Sequence, residues 1–237
     1  MLDDYQDSRR WDNEYERRGI PSSRRSEPSG VLLWALDNFG RVTSHAFPKK
    51  ALDLGCGTGR NSLDLAKKGI DTVGVDYSQN AISLARKRLE EEDPAATATF
   101  RRHNIRHALP FASGEFDFAT DTFVYFHVLP EDDRRSYRAE IARVLGRRGI
   151  LLLSLATKND GYYASCPSID NWRASSSIEL KLDPEAGVGN ILPSQDELLE
   201  EMSDIFLLRM FWIKRVDGKM HGKTYARETI GTLWSPK

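Results

Sequence analysis

The sequence predicts an α/β fold, a largely parallel sheet with helices on both faces. Three observations carry that prediction. Short apolar runs alternate with helical patterns between residues 51 and 155, as strands joined by crossover helices do. The first run breaks into a glycine loop, Gly55-Cys56-Gly57-Thr58-Gly59, that opens a helix. The second run closes on one acidic residue, Asp76.

Taken in order, residues 1–30 are charged and aromatic, with Tyr5, Trp11 and Tyr15 near a helical spacing before a turn-rich stretch at 21–30. Residues 31–39 (VLLWALDNF) set their apolar side chains on one helical face and stop at Gly40. Residues 51–54 form the first strand, 60–68 a helix closed by Gly69, and 72–75 the second strand. Ser78 is an N-cap for a helix through Glu92, whose inner face carries Ala81, Ile82, Ala85 and Leu89; Asp93-Pro94 ends it. Strands three and four fall at 97–101 and 116–120. A helix with Tyr137, Ile141, Val144 and Leu145 on one face stops at Gly146, and 150–155 is strand five. The alternation then ends. Residues 157–192, rich in Gly, Ser, Pro and Asp, read as a long irregular insertion of the kind that usually serves function. A capped acidic helix start at Ser194 and strands near 205–216 and 223–233 complete the chain.

Composition narrows the function. The 237 residues suit one elaborated domain. With 34 Lys+Arg against 35 Asp+Glu, the net charge of −1 lacks the whole-molecule field of a strongly basic nucleic-acid binder. The doublets Arg101-Arg102, Arg134-Arg135 and Arg147-Arg148 read as solvated faces, and His221 as a surface residue. No apolar run approaches the roughly 18 residues of a membrane span. The opening Met1-Leu2-Asp3-Asp4 is not a secretory leader, so a cytoplasmic location is expected. Cys56 and Cys166 form neither a disulfide framework nor a metal pattern, and no metal is expected.

The glycine loop carries the chemistry. A strand ending in Gly-x-Gly and opening into a helix brings a ligand close to the backbone and the helix's partial positive charge. Dinucleotide sites use G-x-G-x-x-G. Here the spacing is G-x-G-x-G, and Arg60 stands where the third dinucleotide glycine belongs. A phosphate-binding P-loop is excluded, because no G-K-[ST] follows. Asp76 can accept hydrogen bonds from both hydroxyls of a ribose. The pattern points to an adenosine without a pyrophosphate.

On these residues the chain resembles the class I S-adenosylmethionine-dependent methyltransferases. The matching segments are Leu52-Asp53-Leu54 with the glycine loop, then Gly74-Val75-Asp76-Tyr77-Ser78. Further matches are Asn104-Ile105 with Leu109-Pro110-Phe111, and Phe116-Asp117-Phe118 with Arg143-Val144-Leu145. They cover about residues 50–155 in the family's order. Trp11, Tyr15 and Glu27-Pro28 are loosely similar to the tellurite-resistance and thiopurine methyltransferase branch.

The resemblance implies a Rossmann-like sheet of seven strands in the order 3-2-1-4-5-7-6, with strand seven antiparallel. It implies a cofactor-binding core at 49–156, a helical cap at 1–48, an acceptor-pocket insertion at 157–192 and the sheet's closing elements at 193–237. Gly55, Gly57 and Gly59 would line the methionine end of the cofactor, with Cys56 as a small loop residue. Asp53 would hold the amino group, directly or through water. Asp76 would take the ribose, Tyr77 the adenine face, and Asn104 and Ile105 the adenine edge. Thr120 and Asp121 would face the methyl group. Tyr5, Trp11, Tyr15, Tyr162, Tyr163 and Trp172 would wall an acceptor, or else pack the cap and insertion onto the sheet.

The expected reaction is in-line methyl transfer to a small-molecule N, O or S acceptor. Sulfonium is an excellent leaving group, so alignment and desolvation can supply most of the acceleration. A base is needed only for acceptors that must lose a proton, and Asp121 and His127 are the candidates. Thr120-Asp121-Thr122-Phe123 replaces the [DN]-P-P-[YF] of enzymes that methylate DNA-base or glutamine amino groups. RNA methylation would require a basic groove that the neutral composition disfavours. A non-catalytic S-adenosylmethionine-binding module would use the same loop and Asp76.

Overall fold

The computed structural model describes residues 4–17, 25–169 and 178–237. Five parallel strands, β1 (Lys50–Leu54), β2 (Asp71–Asp76), β3 (Ala98–Arg102), β4 (Phe118–Thr122) and β5 (Ile150–Ala156), are joined through helices, except that a loop links β3 to β4. Near the carboxyl terminus follow β8 (Phe206–Met220) and β9 (Lys223–Pro236), and the sheet order is β3-β2-β1-β4-β5-β9-β8. β9 runs antiparallel to both neighbours, so the seven-stranded order and the antiparallel last strand agree with expectation. Buried on both faces, β1 and β5 read as nearly continuous apolar runs.

Helices α3 (Arg60–Lys67), α4 (Gln79–Glu92) and α5 (Glu131–Leu145) cover the sheet with α2 (Gly30–Val42) and α7 (Gln195–Met202). Capping set their starts: Ser78 accepts from Ala81 N–H, and Ser194 and Glu197 form a reciprocal capping box. Helix α1 (Asp4–Arg17) lies over the start of α4, where Asp12 accepts from the Ser78 hydroxyl (2.6 Å) and the Asn80 N–H (3.2 Å).

Four readings from sequence change. β4 begins two residues later than its apolar run, because the Asp117 carboxylate turns aside to cap the N–H groups of Lys49 and Lys50. The 157–192 stretch is ordered where it is described: α6 (Gly161–Ser165) is capped by Asp160, and β6 (Glu179–Asp183) pairs with β7 (Val188–Leu192) in a separate hairpin. Arg134 is not on a solvated face; it is 1% exposed and pairs with Glu201 at 2.6 Å, while Arg138 bridges Glu201 and Asp204. His221 is half-buried against the Tyr162 ring rather than on the surface.

The last two strands are longer than their apolar patterns suggest. They turn through His221 and Gly222, both at positive φ (47° and 80°), the geometry of a type I′ hairpin. β5 pairs with β9 only from Thr229 to Trp234. The ribbon between residues 214 and 228 therefore projects past the carboxyl ends of the parallel strands. Among the described residues, no helix is long and apolar enough to cross a membrane.

Candidate functional site

In an open α/β sheet, ligands settle outside the carboxyl ends of the strands where the strand order reverses. Here that point lies between β1 and β4. Leaving β1, the chain passes through Gly55, Gly57 and Gly59, all at positive φ. At Gly55 a Cβ would drive into the Val124 methyls, so only glycine allows the approach. Gly59 is the N-cap of α3 and brings no side chain to cover that helix end. The loop is thus a backbone cradle.

Two carboxylates stand around it with few protein donors. Asp76, at the end of β2, accepts the N–H groups of Gly57 (2.9 Å) and Ser78 (2.8 Å), one on each oxygen. Burial raises its carboxyl to about 6 against the pull of those hydrogen bonds. Asp53 lies behind the loop with one close partner, the Ser62 hydroxyl at 2.6 Å. Burial lifts it to about 7, opposed by Ser62 and the nearby Arg60 guanidinium. Desolvation, with Arg25 as a like-charged neighbour, lowers Arg60. The Tyr15 hydroxyl sits over Gly57, and burial beside Asp76 raises its pKa.

One cavity of about 650 Å³ runs from this cradle to the β8–β9 ribbon, a size usual for small-molecule sites. At the cradle end it is lined by Gly55, Cys56, Gly57 and Asp76, with Tyr77, Asn104 and Ile105 beside them. The Asn104 Oδ1 already takes the Arg106 N–H at 3.1 Å, leaving one lone pair. Gly59 and Asp53 support the loop from behind and do not reach the cavity wall. At the other end stand Trp11, Phe123, Phe126, His127, Tyr163 and Trp212. His127 packs edge-on against Trp11 (4.8 Å), and its Nδ1 lies 3.3 Å from the Gly189 carbonyl oxygen. That contact requires the proton on Nδ1. Burial lowers the ring to about 4, so it is neutral at physiological pH.

The structure corrects three site assignments. Asp121 is fully buried inside β4; its carboxylate takes the Val124 and Tyr125 N–H groups and the Tyr137 hydroxyl (2.8 Å). It holds the turn after β4 and has no open face for an acceptor's proton. Thr120 is likewise enclosed, 3.2 Å from the Thr122 hydroxyl, because β4 runs on to Thr122. Tyr162 points away from the cavity and donates to Asp183 (2.9 Å), packing the insertion. The Tyr5 side chain and the whole of Trp172 lie outside the described residues.

Some lining residues escaped the sequence. Thr122, Phe123 and Val124 reach the cavity only because the chain turns at Phe123, a non-glycine residue at φ 64° that no local pattern announces. Trp212, Lys214, Val216 and Gly218 form one face of β8, a period-two signal visible in the sequence. Among the described residues no cluster of His, Cys, Asp and Glu could hold a metal ion.

Comparison with known proteins agrees with this geometry. Residues 51–149 match a methyltransferase-domain family. Over 128 residues the chain is 34% identical to the O-antigen chain terminator bifunctional methyltransferase/kinase WbdD of Escherichia coli, covering 54% of this chain and 18% of that protein. The chain spans less than half the length of the curated relatives it matches. An S-adenosylmethionine-dependent methyltransferase from Methanosarcina mazei superimposes with a TM-score of 0.64 at 24% identity, over 78% of this chain and 91% of that one. A Burkholderia thailandensis 1,6-didemethyltoxoflavin-N1-methyltransferase, with that substrate and S-adenosylhomocysteine bound, gives 0.66 at 17% identity over 98% and 89%.

Proposed function

We propose that residues 51–149, which match a methyltransferase-domain family, form a class I S-adenosylmethionine-dependent methyltransferase domain and that this chain methylates a small-molecule N, O or S acceptor. One observation carries the reading: a single cavity joins the Asp76–Gly57 cradle to an aromatic chamber. The two ends answer to a cofactor and an acceptor that must meet in line. When bound, S-adenosylmethionine supplies a methyl group already activated by its sulfonium.

The residues fit that cofactor. The Asp76 carboxylate takes the Gly57 and Ser78 N–H groups with the Tyr77 backbone also close, and its remaining lone pairs would serve the ribose hydroxyls. Tyr77 and Ile105 border the slot for the adenine, and Asn104 has one lone pair left for its amino group. Asp53 would hold the ammonium through an intervening water, since the loop separates it from the cavity. Arg60, which lines the cavity at that end, would offer its charge to the cofactor's carboxylate. Both raised carboxylates describe a site short of donors, which an ammonium and two hydroxyls would supply.

Acceptor chemistry then falls to the chamber. Phe123, Phe126, Trp11 and Tyr163 exclude water and fix a flat body against the methyl group. His127 offers an Nε2 lone pair that can take a hydrogen bond from an acceptor N–H or O–H and orient it. Its low pKa suits positioning better than strong proton abstraction.

Incubation with methyl-labelled S-adenosylmethionine, first with a small-molecule extract and then with total RNA, tests the proposal. Label is expected in the small-molecule fraction with matching release of S-adenosylhomocysteine. Label confined to RNA, or no transfer at all, would contradict it.

A further inference from the structure

The chain carries almost no net charge, yet its cavity is strongly biased. Among the described residues, five arginines and two lysines line it against two carboxylates, Glu27 and Asp76. At the ribbon end the bias is complete, because the charged lining residues of β8 and β9 are Lys214, Lys219 and Arg227. Two of these share a face. Lys214 pairs in register with Thr229 and Val216 with Arg227, so Lys214 and Arg227 are diagonal neighbours, about 7–8 Å apart in such a ladder.

Arg227 is fixed in place by its contacts. Its Nε donates to buried Asp160 at 2.7 Å, and the guanidinium lies over the rings of Tyr162 and Tyr163, 5.8 and 5.5 Å from their centroids. Among the described residues, Nη1 and Nη2 have no hydrogen-bond partner, although this side chain is only 15% exposed. A fixed guanidinium edge with two unmatched donors is the form that binds a carboxylate, sulfonate or phosphate in a planar fork. Lys214 has no carboxylate partner among the described residues; its ammonium lies 6.0 Å from the Trp212 ring, which lines the same chamber.

We infer that the methyl acceptor is an aromatic or similarly flat molecule bearing an acidic group, with that acid seated between Lys214 and the open edge of Arg227. The inference rests on the methyltransferase reading and adds the class of substrate. The acid is an anchor and not the methylated atom: it sits on the ribbon, while the body lies along Trp212, Phe123 and Phe126 toward the cradle. The product keeps its negative charge.

Two probes with one aromatic framework test this on the full chain saturated with S-adenosylhomocysteine. 8-Anilinonaphthalene-1-sulfonate carries the anion, and N-phenyl-1-naphthylamine lacks it. Fluorescence titration is expected to show the sulfonate bound about tenfold or more tighter, with a preference that falls as salt is added. Lys214→Gln with Lys219→Gln should remove most of that preference, while Lys87→Gln on α4 leaves it intact. Equal binding of the two probes, binding of neither, or a preference indifferent to the Lys214 and Lys219 changes would overturn the inference. Calorimetry of S-adenosylhomocysteine on the same samples separates the two levels. A chain that binds this ligand but shows no anion preference loses only the substrate class, whereas one that does not bind it loses the methyltransferase reading.

Discussion

At the scale of single residues, the site's carboxylates behave opposite to salt-bridged ones. Asp53 and Asp76 hold protons in the folded chain up to about pH 7 and 6, well above the usual carboxylate value. Between that value and these, the folded state binds more protons than the unfolded state, so their contribution to stability declines as pH rises. His127 acts the other way: the unfolded ring takes up a proton below about 6.5 and the folded one only near 4, so acid costs stability in that window. The ligand resolves the two. An ammonium and ribose hydroxyls favour the ionised carboxylates, so S-adenosylhomocysteine should bind about tenfold more weakly at pH 5.5 than at 7.5. Calorimetry in buffers of different ionisation heat should record proton release near pH 6, and Asp53→Asn should reduce it. Asp121 makes a separate case. Asp121→Asn disturbs three buried hydrogen bonds and should lower unfolding stability by about 1–3 kcal/mol, read by urea titration, without changing S-adenosylhomocysteine affinity. Full stability with abolished turnover would return Asp121 to the role of base.

At the scale of elements, α5 and α7 are joined by a buried ion cluster that no exposed pair resembles. Glu201→Met strands the buried Arg134 guanidinium, which has no other carboxylate partner among the described residues, and should cost about 3–5 kcal/mol, whereas Arg134→Met with Glu201→Met should recover much of that loss, since Arg138 keeps Asp204. Denaturant midpoints compare the two directly. This cluster also marks a limit of sequence reading. Arg134 belongs to a doublet on a charged helix, and only the docking of α7 decides that one of the pair turns inward. The alternating strands and helices of 51–155 were legible because each buries a face with its own period. The cradle was legible because glycine at fixed spacing answers a local demand on φ. The insertion was not, since β6 and β7 are short and mixed in polarity and owe their pairing to a turn where the Asp183 carboxylate takes the Glu185 and Ala186 N–H groups. The acceptor end was half legible. Trp11, Tyr15 and Tyr163 stood out as aromatic residues, but Phe123 arrives through a strained turn and Arg227 through the pairing of distant strands.

At the scale of the whole molecule, the fold places one polar, backbone-lined pocket and one aromatic, cationic chamber in a single cavity. The overhanging β8–β9 ribbon closes the far side. Binding at the cradle should therefore stabilise the chain as a unit. S-adenosylhomocysteine at a hundred times its Kd adds about 2.7 kcal/mol, or roughly 5–10 °C in Tm for a domain of this length. Whether the cradle is an S-adenosylmethionine site is decided by a calorimetric titration of the chain with S-adenosylhomocysteine and with NAD, repeated on Asp76→Ala. One-to-one S-adenosylhomocysteine binding in the micromolar range is expected, with loss of that binding in the variant and no binding of NAD. Binding of NAD without S-adenosylhomocysteine, or undiminished affinity in Asp76→Ala, would contradict that assignment.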